Sequence, residues 1–145
     1  MNTQQHTIQK CHPAKTGVKY TGDVPRFEKL KNLYSGRRIF VIGNGPSIRF
    51  HDMTVLRNEY TISFNRAYIA YESWELTPTF YSSTDLVVLP DNADEISGLI
   101  ESPEYKHTTF VFPDWGKCYL PKADNVFFLP FCMDKERTFH CEPDR

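Results

Sequence analysis

Arg37-Arg38-Ile39-Phe40-Val41-Ile42-Gly43-Asn44-Gly45-Pro46-Ser47 joins a short apolar run to two glycines that flank an asparagine, with proline and serine after them. Ile39 to Ile42 read as a fully buried strand, and Gly-Pro reads as a hard stop. Gly43 and Gly45 permit a tight turn and let a ligand approach the backbone closely. Pro46 suits the first position of a helix, where its missing N–H costs nothing. The stretch therefore predicts a strand, a glycine turn and a helix start. The N–H groups of Gly45, Ser47 and Ile48 would then be free to face a phosphate.

Outward from this stretch the chain alternates between two kinds of element. Residues 1 to 25 hold Pro13, Gly17, Gly22 and Pro25 without periodicity and read as a loosely ordered arm. Phe27, Leu30, Leu33 and Tyr34 fall at helical spacing, and Gly36 ends that helix. Strands are predicted at 38–42, 60–64, 79–83, 108–112 and 125–129. Between them, Asp52 caps a short helix with Met53, Val55 and Leu56. Ala67–Trp74 forms a helix with Tyr68, Ile69 and Tyr71 on its apolar side, and Asn92–Glu101 one that buries Ile96, Leu99 and Ile100. This alternation predicts an α/β fold: a Rossmann-like, doubly wound, mostly parallel sheet over residues 26–145. Ligands of such sheets sit beyond the carboxyl ends of the strands. That rule selects Gly43-Asn44-Gly45-Pro46-Ser47, then Asn65-Arg66, then Thr84-Asp85.

Composition narrows the function. The chain has 145 residues, 40% hydrophobic, with net charge -1, enough for one cored domain and without the basic field that binds nucleic acid. No apolar run approaches the ~20 residues of a transmembrane helix, and the polar start lacks a signal-peptide core. Cys11, Cys118, Cys132 and Cys141 show no C-x-x-C pair and read as reduced thiols of a cytoplasmic protein. Cys11-His12 and His140-Cys141 lack zinc-ligand spacing, so no metal site is expected.

The glycine stretch is not a P-loop, because no Gly-Lys-Ser/Thr follows. It is also a poor dinucleotide fingerprint, since Ile48 stands where G-x-G-x-x-G needs its third glycine. A plain structural turn is the bland alternative, but Asn44 and Ser47 add hydrogen-bonding groups that a turn does not need. Asn65, with an amide that donates and accepts, can read a ribose or a neutral base, or cap the next helix. Arg66 can neutralise a phosphate or carboxylate, or stay solvated. Asp85 reads first as a cap and second as a ribose or metal–phosphate ligand. His51 beside Asp52 reads as a surface histidine, and Tyr68, Tyr71, Trp74, Phe80 and Tyr81 read as core.

Ile42-Gly43-Asn44-Gly45-Pro46-Ser47, Phe64-Asn65-Arg66 and Pro78-Thr79-Phe80-Tyr81 with Asp85 resemble the MptE-like family, named for 6-hydroxymethylpterin diphosphokinase. The same motifs are similar to bacterial sialyltransferases that use CMP-sialic acid, and the resemblance covers about residues 36 to 130. It implies a nucleotide-binding fold in which the glycine turn lies against the nucleotide and Asn65 contacts it. Arg66 fits the MptE-like pattern better, because the sialyltransferases carry an uncharged amide there. Their general base is a histidine in the second half of the domain. It has no matched position here, and His140 is a weak stand-in.

Related chains continue with a glycine-containing segment, a helix and a strand ending in acidic residues, so the resemblance implies an N-terminal portion. Three functions follow from it: glycosyl transfer from a CMP-sugar to a surface glycan, ATP- and magnesium-dependent diphosphoryl transfer to a pterin, or nucleotide binding without chemistry. No tightly bound cofactor is expected in any of them, and nothing in the sequence speaks to oligomeric state.

Overall fold

The computed structural model describes residues 23–130. Of the arm expected at 1–25, residues 1–22 lie outside them, as do the Cys11-His12 and His140-Cys141 pairs, Cys132 and the weak base His140; Val24 and Pro25, expected in that arm, are helical instead. Five strands form one sheet: β1 (Ile39–Ile42), β2 (Tyr60–Phe64), β3 (Phe80–Ser82), β4 (Thr109–Pro113) and β5 (Val126–Leu129). Their order is β1-β2-β3-β4-β5, and every pairing is parallel. Each strand falls within a residue, at either end, of the position its apolar run predicts.

Parallel neighbours need crossovers, and the crossovers here are helical. Two 3-10 turns, Pro46–Phe50 and Met53–Leu56, link β1 to β2. A 3-10 segment, Asn65–Ala70, runs into helix α2 (Tyr71–Trp74) between β2 and β3. Helices α3 (Val88–Asp91) and α4 (Ala93–Glu101) link β3 to β4, and a 3-10 turn, Asp114–Cys118, links β4 to β5. The fold is α/β with a Rossmann-like parallel sheet. Strand order follows chain order and never reverses among the described strands. Right-handed crossovers that keep advancing in one direction lie on one face of the sheet.

Burial follows from that topology. Thr61, Ser63, Tyr81, Phe110, Phe112, Val126 and Phe128 point to the crossover face and are buried. They pack against Ala67, Tyr71, Leu89, Ile96, Ile100 and Trp115. Ile42, Met53 and Leu76 form a smaller cluster under the first crossover. The opposite face carries Val41, Ile62, Phe80 and Phe127, as the register requires. The lead-in segment covers part of it. The Phe27 ring meets Phe127 edge-on at 5.5 Å, and Tyr34 meets Tyr60 at 4.7 Å and Phe80 at 5.5 Å.

The lead-in also closes the β5 edge. Helix α1 (Val24–Glu28) carries Pro25 in its first turn, and its flanking Asp23 accepts the Phe128 N–H at 2.9 Å. Arg26 donates to the carbonyls of Val126 and Asp124, the latter at 3.2 Å, and is paired with Asp23. Its guanidinium lies 4.3 Å from the centre of the Phe127 ring. These side chains take up polar groups that an edge strand otherwise leaves open.

Several local readings change. β1 is not fully buried: Ile39 is 44% and Val41 70% exposed, because β1 is an edge strand in the described sheet and nothing described packs over its second face. The lead-in helix ends at Glu28, and 3-10-type turns continue to Gly36, whose φ of +72° ends them. The helix placed at 67–74 is two pieces, a 3-10 segment through Ala70 and then α2, and Ile69 on the first piece is 63% exposed rather than on an apolar side. Val55 is 69% exposed, since a single 3-10 turn buries only Met53 fully. Leu99 is half-buried rather than buried. Cys118 is disulfide-bonded, which corrects its reading as a reduced thiol. No helix among the described residues is long and apolar enough to cross a membrane.

Candidate functional site

A parallel sheet aligns all its carboxyl ends, and this brings the three polar groups together. β1 ends at Ile42, opposite Ser63, and β2 ends at Phe64, opposite Ser82. Gly43–Ser47, Asn65-Arg66 and Thr84-Asp85 therefore leave the sheet at the same edge. The 3-10 turn after the glycines is only five residues long. Its Ile48 N–H donates to the Gly45 carbonyl at 3.1 Å, so Ile48 is not the free phosphate donor its position predicts.

The glycines have no internal justification. Gly45 has φ -68° and ψ 156°, ordinary extended geometry. Gly43 is not in the left-handed region either. A Cβ built on Gly43 or Gly45 would meet no atom of the described residues within 4 Å. Neither turn geometry nor packing against the described residues requires glycine at these positions, so the expected tight turn is not what they provide. What they leave is an exposed, uncovered stretch of backbone from Gly43 to Ser47.

Asn65 is the strained residue of the site. Its φ of +50° lies in the left-handed region, which asparagine tolerates better than most residues. Two hydrogen bonds hold it there. The Tyr81 hydroxyl donates to the Asn65 carbonyl at 2.6 Å, and the Ser83 hydroxyl donates to Asn65 Oδ1 at 3.0 Å. Ser83 is 1% exposed and Tyr81 is fully buried, so the anchor belongs to the core. Burial drives the Tyr81 phenol far above its usual range and keeps it a neutral donor. Sequence reasoning passed over Ser83 and took Tyr81 as core alone. A serine directly after a strand that ends level with an asparagine was the available signal.

Arg66 is exposed and its guanidinium lies near the Tyr68 hydroxyl. Burial and the nearby Glu95 carboxylate push that phenol up, and Arg66 pulls it the other way. Tyr68 donates in turn to Asn92 Oδ1 at 3.1 Å. Thr84 is exposed at the same edge. Asp85 Oδ1 accepts the N–H groups of Val87 at 2.8 Å and Val88 at 2.9 Å, so the residue caps the turn into α3. Those two backbone bonds hold its carboxyl below the usual range. Asp52 plays the same part before Met53–Leu56, accepting from Thr54 N at 3.0 Å.

A cleft of about 410 Å³ lies between the first two crossovers, lined by Ile48, Met53 and Trp74 with His51, Asp52 and Ser73 as polar groups, and none of Gly43–Ser47 lines it. Past β4, Trp115 buries its indole N–H without a hydrogen-bond partner among the described residues. Comparison with protein-family models, with curated proteins and with solved structures finds no match to this chain.

Proposed function

We propose that this chain is the nucleotide-binding part of a glycosyltransferase, taking a CMP-sugar donor whose sugar passes to a surface glycan. One observation carries the reading. Gly43 and Gly45 lack side chains where neither their backbone angles nor their neighbours among the described residues demand it, at the same sheet edge as an asparagine held in left-handed geometry. Bare backbone suits close approach by a phosphate or ribose, and the Asn65 amide adds neutral hydrogen-bonding capacity. In this reading the described residues bind and orient the nucleotide, which leaves with the electron pair of the glycosidic bond.

Diphosphoryl transfer from ATP is the second reading, favoured by Arg66 at the end of β2. It needs magnesium, held through carboxylates. Asp85 already gives Oδ1 to a cap, and no group of three or more Asp, Glu, His or Cys side chains gathers among the described residues. The donor set therefore fits a sugar nucleotide better.

Calorimetry with CMP, CDP and ATP tests the site. Gly45→Val should block backbone approach and abolish binding. Asn65→Ala should weaken binding by ~1 kcal/mol, about fivefold. Two variants that bind like the parent would put the site elsewhere. Binding of ATP but not CMP would select the diphosphoryl reading.

A further inference from the structure

We infer that Ser83 and Tyr81 are positioning residues that turn the Asn65 side chain into a one-way donor, aimed at an acceptor oxygen of a nucleotide ribose or phosphate. The inference rests on the nucleotide reading of this edge.

A free asparagine amide is ambidextrous and can rotate to present either its carbonyl or its NH2 group. Here the choice is made from below. Ser83 is 1% exposed, and its hydroxyl is bonded to Oδ1 at 3.0 Å. Flipping the amide would turn NH2 toward Ser83 and oblige the buried hydroxyl to reorganise as acceptor. The backbone beneath is held as well, by the Tyr81 hydroxyl on the Asn65 carbonyl at 2.6 Å. With Oδ1 engaged, Nδ2 is the group left over. It has no hydrogen-bond partner among the described residues, and it is not one of their buried unpartnered atoms. Nδ2 is therefore not sealed in the core, and Asn65 stands at the sheet edge that carries the exposed Gly43–Ser47 backbone. A fixed donor binds a ribose or phosphate oxygen without first losing rotamer freedom. It also repels a ligand NH group, which gives the site polarity without charge.

The test is a double-mutant cycle on affinity for CMP, with thermal unfolding to confirm folding. Ser83→Ala touches no ligand, yet it should weaken CMP binding about fivefold by releasing the amide. In an Asn65→Ala background the same change should have no further effect. Asn65→Asp keeps the acceptor for Ser83 and loses the donor, and it should bind more weakly than the parent. Tyr81→Phe should resemble Ser83→Ala and be equally silent in the Asn65→Ala background. The Ser83→Ala loss should vanish with cytidine if the acceptor is a phosphate oxygen, and with 2′-deoxy-CMP if it is the ribose hydroxyl.

If the parent binds none of CMP, CDP and ATP, the nucleotide reading falls and this inference falls with it. If the parent binds, the inference alone is overturned by either of two results: Ser83→Ala binds like the parent, or it costs as much with Asn65→Ala as without it.

Discussion

Glu75 shows at single-residue scale how this chain takes left-handed geometry merely to end a helix. It terminates α2 with φ +48°, its N–H bonded to the Glu72 carbonyl, and its side chain makes an exposed ion pair to Arg57. Asn65 shares that backbone region but is held by two buried hydroxyls. The contrast yields opposite expectations for one kind of substitution. Glu75→Gly should raise stability by about 0.5–1 kcal/mol, since glycine relieves the left-handed penalty and an exposed ion pair is worth little. Asn65→Gly removes strain too, but it strips Ser83 of its buried partner and should bring no such gain. Denaturant midpoints of the two variants, at unchanged m, check both. The strain at Asn65 could not be read from the sequence, because it depends on where β3 places Tyr81 and Ser83.

At the scale of elements, the lead-in and the caps decide which ends hold. Asp23 and Arg26 clamp the β5 edge through the Phe128 N–H and the Val126 and Asp124 carbonyls. Arg26→Ala should destabilise by about 1–3 kcal/mol through uncovered backbone carbonyls and lost contact with Phe127. It should also open the edge, so sedimentation should show association that grows with concentration. Unchanged stability together with a monomer at all concentrations would deny the clamp any role.

The caps carry a pH signature. Asp52 and Asp85 both have carboxyls held below their usual range by hydrogen bonds, to the Thr54 side chain and N–H for the first and to the Val88 and Val87 N–H groups for the second. A folded-state value below the unfolded one gives stability that is present above the unfolded value and lost as pH falls through the folded one. The melting temperature should thus be level near neutrality and decline below about pH 4, and Asp85→Asn should flatten part of that decline. Asp52 was legible as a cap from its place before an apolar turn. The role of Asp85 was legible as the first of several, and α3 behind it was not foreseen.

For the whole molecule, the sheet has one packed face and one half-open face. Val41 in the edge strand β1 and Phe110 in the interior strand β4 sit in apolar runs of similar composition, yet one is 70% exposed and the other 1%. Phe110→Ala should cost about 3–5 kcal/mol through cavity formation. Val41→Lys should stay within about 0.5 kcal/mol of the parent. Comparable losses from both would mean that the second face of β1 is covered as well.

The sequence alone determined the five strands, their parallel pairing and the edge that carries Gly43–Ser47, Asn65 and Thr84. Apolar runs and glycine stops are local signals, and helical crossovers leave strands no choice of direction. Tertiary structure decided the rest. Strand order set which face of β1 stays open. The aromatic contacts of Phe27 and Tyr34 placed the lead-in on the second face. The row of Asn65, Tyr81 and Ser83 exists only once β2 and β3 lie in register, because a hydrogen bond between residues 18 positions apart leaves no trace in local periodicity.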